Sequence, residues 1–336
     1  MSGLFRTRVT EFFGIRLPIV ASGMQWLSTA DYVGAAAACG IMGFITAGSF
    51  PEPSLLRNEI RRCRDLAGGK PFGVNVTMLP KLTEKKTIEQ IFDLIIDEEV
   101  RFVETAGRNP EAYLPRLHAA GIKVLHKVPA VKYALKAQEI GVDAVTVVGA
   151  ECGGHPGMEL VGTMVQAAVA ARDIKIPLIV GGGMGTGAHI VAALALGADG
   201  VAIGTRFLVA EEIWAHRSYK ERLIQADETD TTLLLQSLGN TMRVLSNEAA
   251  DTIKQLEQIH GGNLDVLMPH ISGKVGRKAY ETGETAAGAL AIGQAVAFAD
   301  RIEPLAAIVD RMENEARQAF ERLARLTVPA LRCKED

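Results

Sequence analysis

Eight times in the first two thirds of the chain, a short run of apolar and β-branched residues is followed by a glycine or polar break and then by a longer amphipathic stretch. The runs are IVASGM (19–24), IMGFITAG (41–48), FGVNVTML (72–79), RFVETAG (101–107), KVLHKV (123–128), AVTVVGAE (144–151), LIVGGG (178–183) and GVAIGT (200–205). Such runs, bounded by turn residues and alternating with helical stretches, read as β/α units. AAAACG, LHAAGIK, AQEIGVD and ALALGAD each place a glycine where a helix must end before the next strand. Near-continuous apolar strands joined by helices imply a parallel sheet with helices outside, and eight repeats close a TIM (β/α)8 barrel. The rival is an open doubly wound sheet, which would need GxGxxG after the first strand, and ASGMQW is not that.

After GTRFLVA the rhythm changes. Residues 211–285 read as helical segments such as SYKERLIQA and NEAADTIKQLEQIH and the loop SGKVGRKAYETG, with no convincing strand, and so as a helical insertion over the barrel mouth. The barrel then comprises residues 1–210 and 286–336, with AAGALAIGQAVAFADRI and LAAIVDRMENEARQAFERLARL read as long closing helices. A net charge of −3 offers no field for nucleic acid. The apolar windows fall short of the roughly 20 residues a membrane span needs, and arginines interrupt the first eighteen residues, so a cytosolic chain is the simplest reading. The four cysteines form no CxxC pair. A homodimer is open, although no heptad or conspicuous apolar face announces it.

A barrel of this kind carries its chemistry at the C-terminal strand ends. Runs seven and eight end in GGGMGTG and GTR, so Gly181, Gly182, Gly183, Gly204 and Thr205 stand where such barrels commonly bind phosphate; two tight turns are the plainer alternative. Asn75, Thr77 and Lys127 are polar groups in otherwise apolar strands. Burying Lys127 requires an anionic partner, either a ligand or one of Glu104 and Glu151. His126 alternates to the opposite face and reads as a core histidine. In GAECGGHPG, Cys152 and His155 lack the further ligands a metal needs. Cys152 is either a nucleophile or a small packing residue. His155, on a glycine-flanked loop, suits proton transfer or a hydrogen bond to substrate, with backbone capping as the alternative.

Taken together, PI-x-x-x-GM, FGVN, HK, G-x-E-x-GGHPG, the glycine triplet and GTRF resemble the nitronate monooxygenases, which are FMN-dependent TIM barrels. FGVNVTMLP, VETAG, VKYALKAQEIGVDAV and SGKVGRKAYETGE look closest to that family's NADH:quinone reductase branch, and FMN-using enoyl reductases share the GGH loop. The resemblance implies that Gly23, Met24 and Gln25 line the flavin, that Asn75, Thr77, Lys127 and Thr146 reach its ring or ribityl chain, and that the two glycine loops hold its phosphate. It places His155 beside the substrate, with the loop glycines turning closely over the flavin. The branch's HKCT and ECAGHPGEDD read HKVP and ECGGHPGMEL here, and Ala21-Ser22 stands where a glutamine precedes Gly-Met. The implied reaction is oxidation of a small nitronate by O2. The alternative is NAD(P)H-dependent reduction of a quinone or other conjugated acceptor, with Lys81, Lys85, Lys86, Lys274, Arg277 and Lys278 as candidate phosphate contacts.

Overall fold

The computed structural model describes residues 3–78 and 85–326. Eight parallel strands, β1 (Ile19–Ala21), β2 (Met42–Thr46), β3 (Gly73–Met78), β4 (Phe102–Gly107), β5 (Lys123–Val128), β6 (Ala144–Val148), β7 (Leu178–Gly181) and β8 (Gly200–Ile203), pair in sequence order. β1 pairs with β8 through Ile19↔Val201 and Ala21↔Ile203, so the sheet closes into a TIM barrel. Each strand is one of the eight runs, generally shortened at its C-terminal end, where glycine and polar residues leave the ladder.

Helices α1 (Arg8–Phe13), α2 (Ala30–Ala38), α3 (Pro53–Ala67), α4 (Lys85–Asp97), α5 (Leu114–Ala119), α6 (Val131–Glu139), α7 (Thr163–Asp173) and α8 (Gly187–Ala195) accompany the barrel. The four glycines expected after helices, Gly40, Gly121, Gly141 and Gly197, all have positive φ. α1 plugs the N-terminal end, its Phe13 ring meeting Phe44 and Phe102 edge-on at 6.1 and 5.1 Å. Above it Val20, Met42, Phe44, Phe102, Leu125, Ala144, Ile179 and Ala202 fill the interior. Because side chains alternate along a strand, the next inward positions are Thr46, Asn75, Glu104, Lys127 and Thr146. An apolar plug at one end therefore gives way to a polar ring at the other.

Two expectations for the second half need correction. The insertion is not purely helical: after α9 (Arg217–Ile224), β9 (Thr231–Leu234) and β10 (Met242–Leu245) form an antiparallel hairpin, followed by α10 (Glu248–His260), α11 (Leu264–Ile271) and α12 (Gly273–Thr282), and this last helix takes up the stretch SGKVGRKAYETG that reads as a loop. Nor is AAGALAIGQAVAFADRI a long helix. It is irregular chain with one 3₁₀ segment, Gln294–Phe298, because its backbone is engaged elsewhere: Leu245 N–H donates to the Leu290 carbonyl, and Gln294 N–H to that of Glu151. These tertiary bonds override its alanine-rich propensity. α13 (Leu305–Leu326) is the long helix expected, and it packs on α8 and α2 as the barrel's last outer helix.

Candidate active site

The polar ring holds a buried ion pair. Lys127 Nζ donates to Glu104 Oε2 at 3.0 Å, with the lysine side chain 21% exposed and the glutamate 0%. Asn75 Nδ2 donates to the same oxygen, and Thr77 Oγ1 donates to Asn75 Oδ1 at 3.0 Å. Asn75, Thr77 and Lys127 are thus one network, with Glu104 as the shared acceptor. Of the two partners open to Lys127, the structure selects Glu104. Glu151 instead accepts from Thr163 N–H and Oγ1, satisfying the N-terminal turn of α7. His126 faces outward as expected. Its Nδ1 meets Thr105 Oγ1 at 2.8 Å, and burial pulls its pKa down to about 4, so it is a neutral core histidine.

Two buried oxygens of the ring, Glu104 Oε1 and Thr146 Oγ1, have no hydrogen-bond partner among the described residues. Buried polar groups are seldom left unpaired, and those at a concave strand end are candidates for ligand contact. The loops above are also rich in unused donors. Among the described residues no acceptor meets the backbone N–H of Gly182, Gly183, Thr205 or Arg206. Gly204 has open space around its Cβ position, with Met24 Sδ the nearest atom at 3.8 Å, so the loops after β1 and β8 adjoin. Gly23 lies against Asn75 and Thr46. Gln25 is exposed and turns its Nε2 to the Gly48 carbonyl, 3.0 Å away.

The glycines of the site also serve packing. A Cβ on Gly182 would lie 2.7 Å from Thr163 Oγ1 and 3.1 Å from the Gly149 carbonyl, so the triplet begins pressed against the β6 loop. A Cβ on Gly153 would lie 2.6 Å from Gly293 N and 2.7 Å from Ile292 C. At Gly153 the need for glycine is set by the protein's own segment 292–293, which passes directly over it. Thr205 Oγ1 accepts the Gly293 N–H at 2.9 Å, fastening the same segment to the β8 loop.

His155 is exposed, yet the protein around it is dense enough that desolvation pulls its imidazole below the ordinary range. Its open surface gives access while the surrounding mass disfavours the charged form, which leaves an accessible, neutral base at neutral pH. The thiol of Cys152 is pushed up to about 12 by burial, against the pull of Lys127 and Arg243. It is therefore a packing residue rather than a nucleophile.

Sequence reasoning missed Arg243 and Arg206. Arg243, on β10, exchanges backbone bonds with Gly154 and donates from Nε to the Ala150 carbonyl, so the hairpin braces the histidine loop. Buried Arg206 reaches Asp300 at 3.4 Å and Glu303 at 3.5 Å, and Arg311 contacts both acids. That cluster ties the β8 loop to the chain entering α13. In the insertion, Arg277 stacks over Trp26 at 5.1 Å, setting α12 beside the β1 loop, with Lys274 and Lys278 exposed on the same helix. Lys81 and the side chains of Lys85 and Lys86 lie outside the described residues.

A concavity of about 620 Å³, lined in part by Phe13, Lys70, Phe102 and Lys123, lies at the opposite, N-terminal end. That end of such a barrel serves stability, so this hollow does not carry the chemistry.

A family model described as nitronate monooxygenase matches residues 6–93 and 81–315. A (3aS,4S,5R,7aS)-5-hydroxy-7a-methyl-1-oxo-octahydro-1H-indene-4-carboxyl-CoA dehydrogenase from Rhodococcus jostii is 34% identical over 78% of this chain and 70% of its own. A probable nitronate monooxygenase from Staphylococcus saprophyticus is 29% identical over 72% of this chain and 79% of its own. The solved structure of FabK from Thermotoga maritima is similar over 96% of this chain and 100% of that one, with a TM-score of 0.87 and 31% identity.

Proposed function

Since the chain belongs to the nitronate monooxygenase family, we propose that it is an FMN-dependent oxidoreductase that oxidises small alkyl nitronates with O2 to a carbonyl compound and nitrite. The observation that carries the reading is the buried ring Asn75–Glu104–Lys127, with Thr146 Oγ1 and Glu104 Oε1 unpartnered among the described residues, beneath loops in which the N–H groups of Gly182, Gly183, Thr205 and Arg206 meet no acceptor among those residues. These residues fit FMN. Gly181, Gly182, Gly183, Gly204 and Thr205 would hold its phosphate, Asn75, Thr77, Lys127 and Thr146 its ring and ribityl chain, and Gly23, Met24 and Gln25 would line it.

When bound, FMN supplies a two-electron acceptor that O2 can restore. The chain supplies the rest. Lys127, fixed by Glu104, presents a positive charge where water is scarce, which favours negative charge developing beside it. His155, neutral and exposed, can take the α-proton of a nitroalkane or hold a proton against a substrate oxygen. Arg243 and segment 292–293 keep its loop in place.

A second reading, NAD(P)H-dependent reduction of a quinone or conjugated acceptor, is favoured by exposed Lys274 and Lys278 on α12, which docks beside the β1 loop. The similarity to a protein named as an indene-carboxyl-CoA dehydrogenase also favours redox chemistry on a substrate other than a nitronate. The test is an FMN titration of the apoprotein followed by nitrite release from propionate 3-nitronate. Thr146→Val should weaken FMN binding about tenfold, the worth of one hydrogen bond. A protein that retains no FMN, or that retains it and releases no nitrite, would sink the proposal.

A further inference from the structure

The hollow at the N-terminal end of the barrel has a composition that a gap in packing would not need. It opens where β3, β4 and β5 begin, beside the end of α1, and its volume of about 620 Å³ is that of a small-molecule site. The floor is apolar and largely aromatic: Phe13, Val100 and Phe102 are buried there and Phe72 is half-buried. Gly14, Gly69 and Gly121 border it with open space around their Cβ positions.

The wall is cationic. Arg64, Lys70, Arg101 and Lys123 line it against a single acid, Glu99. Two of the four are engaged within the protein, since Arg64 donates to Glu98 and Lys70 Nζ to the Ala38 carbonyl. The other two are not neutralised: among the described residues no carboxylate pairs with Arg101 or Lys123. Lys123 also stands at an inward position of β5, two residues below the core residue Leu125, with its ammonium 5.0 Å over the Phe12 ring. Nor does any acceptor among the described residues meet the backbone N–H of Gly69, Phe72 or Arg101, which line the same hollow. Free cations and free N–H donors over an aromatic floor are the complement of an anion with a flat apolar body. A neutral apolar ligand would leave the donors unmet, and an organic cation would find Glu99 alone.

We propose that this hollow is a second ligand site, at the opposite end of the strands from the polar ring, and that it takes a small aromatic organic anion. The carboxylate, sulfonate or phosphate group of the ligand meets Arg101 and Lys123, and its ring lies on Phe72 and Phe102. The site uses none of the residues assigned to FMN or to proton transfer, so its occupancy does not depend on the reaction at the mouth.

The test is isothermal titration calorimetry of the full chain, in the presence of excess FMN, with naphthalene-2-sulfonate and with its uncharged counterpart naphthalene-2-sulfonamide. The sulfonate should bind one saturable site, and the sulfonamide about tenfold or more weaker, the worth of a charge-assisted hydrogen bond. The double variant Arg101→Ser, Lys123→Ser should weaken the sulfonate by about tenfold or more, with far-UV circular dichroism to confirm the fold. Arg101→Ser alone, outside any strand, should weaken it severalfold and repeats the test where folding is least engaged. Lys274→Ser, an exposed lysine on α12 at the other end of the barrel, should leave binding unchanged. No saturable binding of the sulfonate up to about 1 mM, equal affinity for the sulfonamide, or an affinity that survives the double variant would each overturn the assignment. Equal weakening by Lys274→Ser would do the same.

Discussion

Removing Lys127 should destabilise the barrel more than removing the charge of Glu104, because the two partners are unequally buried. The glutamate side chain is 0% exposed and the lysine 21%. Breaking a buried pair from one side costs about 3–5 kcal/mol, since the remaining charge is uncompensated. Lys127→Met strands a carboxylate with the Asn75 amide as its remaining donor and no access to water, which places it near the top, about 4–5 kcal/mol. Glu104→Gln strands an ammonium that keeps a fifth of its surface in water and can still meet an amide oxygen, so about 2–3 kcal/mol is expected. The double variant removes both charges and should lose about 2–3 kcal/mol less than the sum of the singles. Urea unfolding of the four proteins, compared at constant m, measures this. Single costs below about 1 kcal/mol, or additivity within about 0.5 kcal/mol, would mean that water screens the pair. The ring would then not be the low-dielectric site that the chemistry requires.

His155 has its pKa lowered, so its proton-accepting form prevails through neutral pH. The pH profile of kcat/KM with a nitroalkane should rise with pH through an apparent pKa below 6.5, and His155→Ala should abolish that limb while retaining FMN. A Cβ at position 153 meets backbone rather than a side chain that could swing aside. Gly153→Ala should therefore cost about 1–3 kcal/mol and lower activity by displacing the histidine loop, read as a fall in Tm beside an assay. His126, held near 4 against 6.5 in the unfolded chain, contributes stability that is complete above pH 6.5 and is lost as pH falls toward 4. Up to about 3 kcal/mol follows from that shift, so His126→Asn should flatten the Tm profile between pH 4 and 7.

The barrel could be read from the sequence because its strands differ sharply in pattern from its helices, and glycines such as Gly141 mark the joints. The polar ring was also visible, since Asn75 and Lys127 break apolar runs at inward positions. The choice of Glu104 over Glu151 was not, because it depends on strand register: Ala106 opposes Lys127, and Glu104 lies one inward position below. Glu151 is drawn instead to Thr163, twelve residues on, by a loop closure that no local pattern announces. The hairpin escaped because its strands are four residues long and half-buried, although TTLLL, SLGN and MRVL carry a strand–turn–strand signal. Arg243 was lost with it.

The most direct measurement mixes the FMN-loaded protein anaerobically with propionate 3-nitronate, NADH or NADPH in a stopped-flow spectrometer and follows bleaching of the flavin. Nitronate oxidation predicts bleaching by the nitronate, then recovery of colour and release of nitrite when O2 is admitted. No bleaching by the nitronate alongside rapid bleaching by a pyridine nucleotide would contradict it and leave the reductase reading. No bleaching by any of the three would contradict redox turnover at this site altogether.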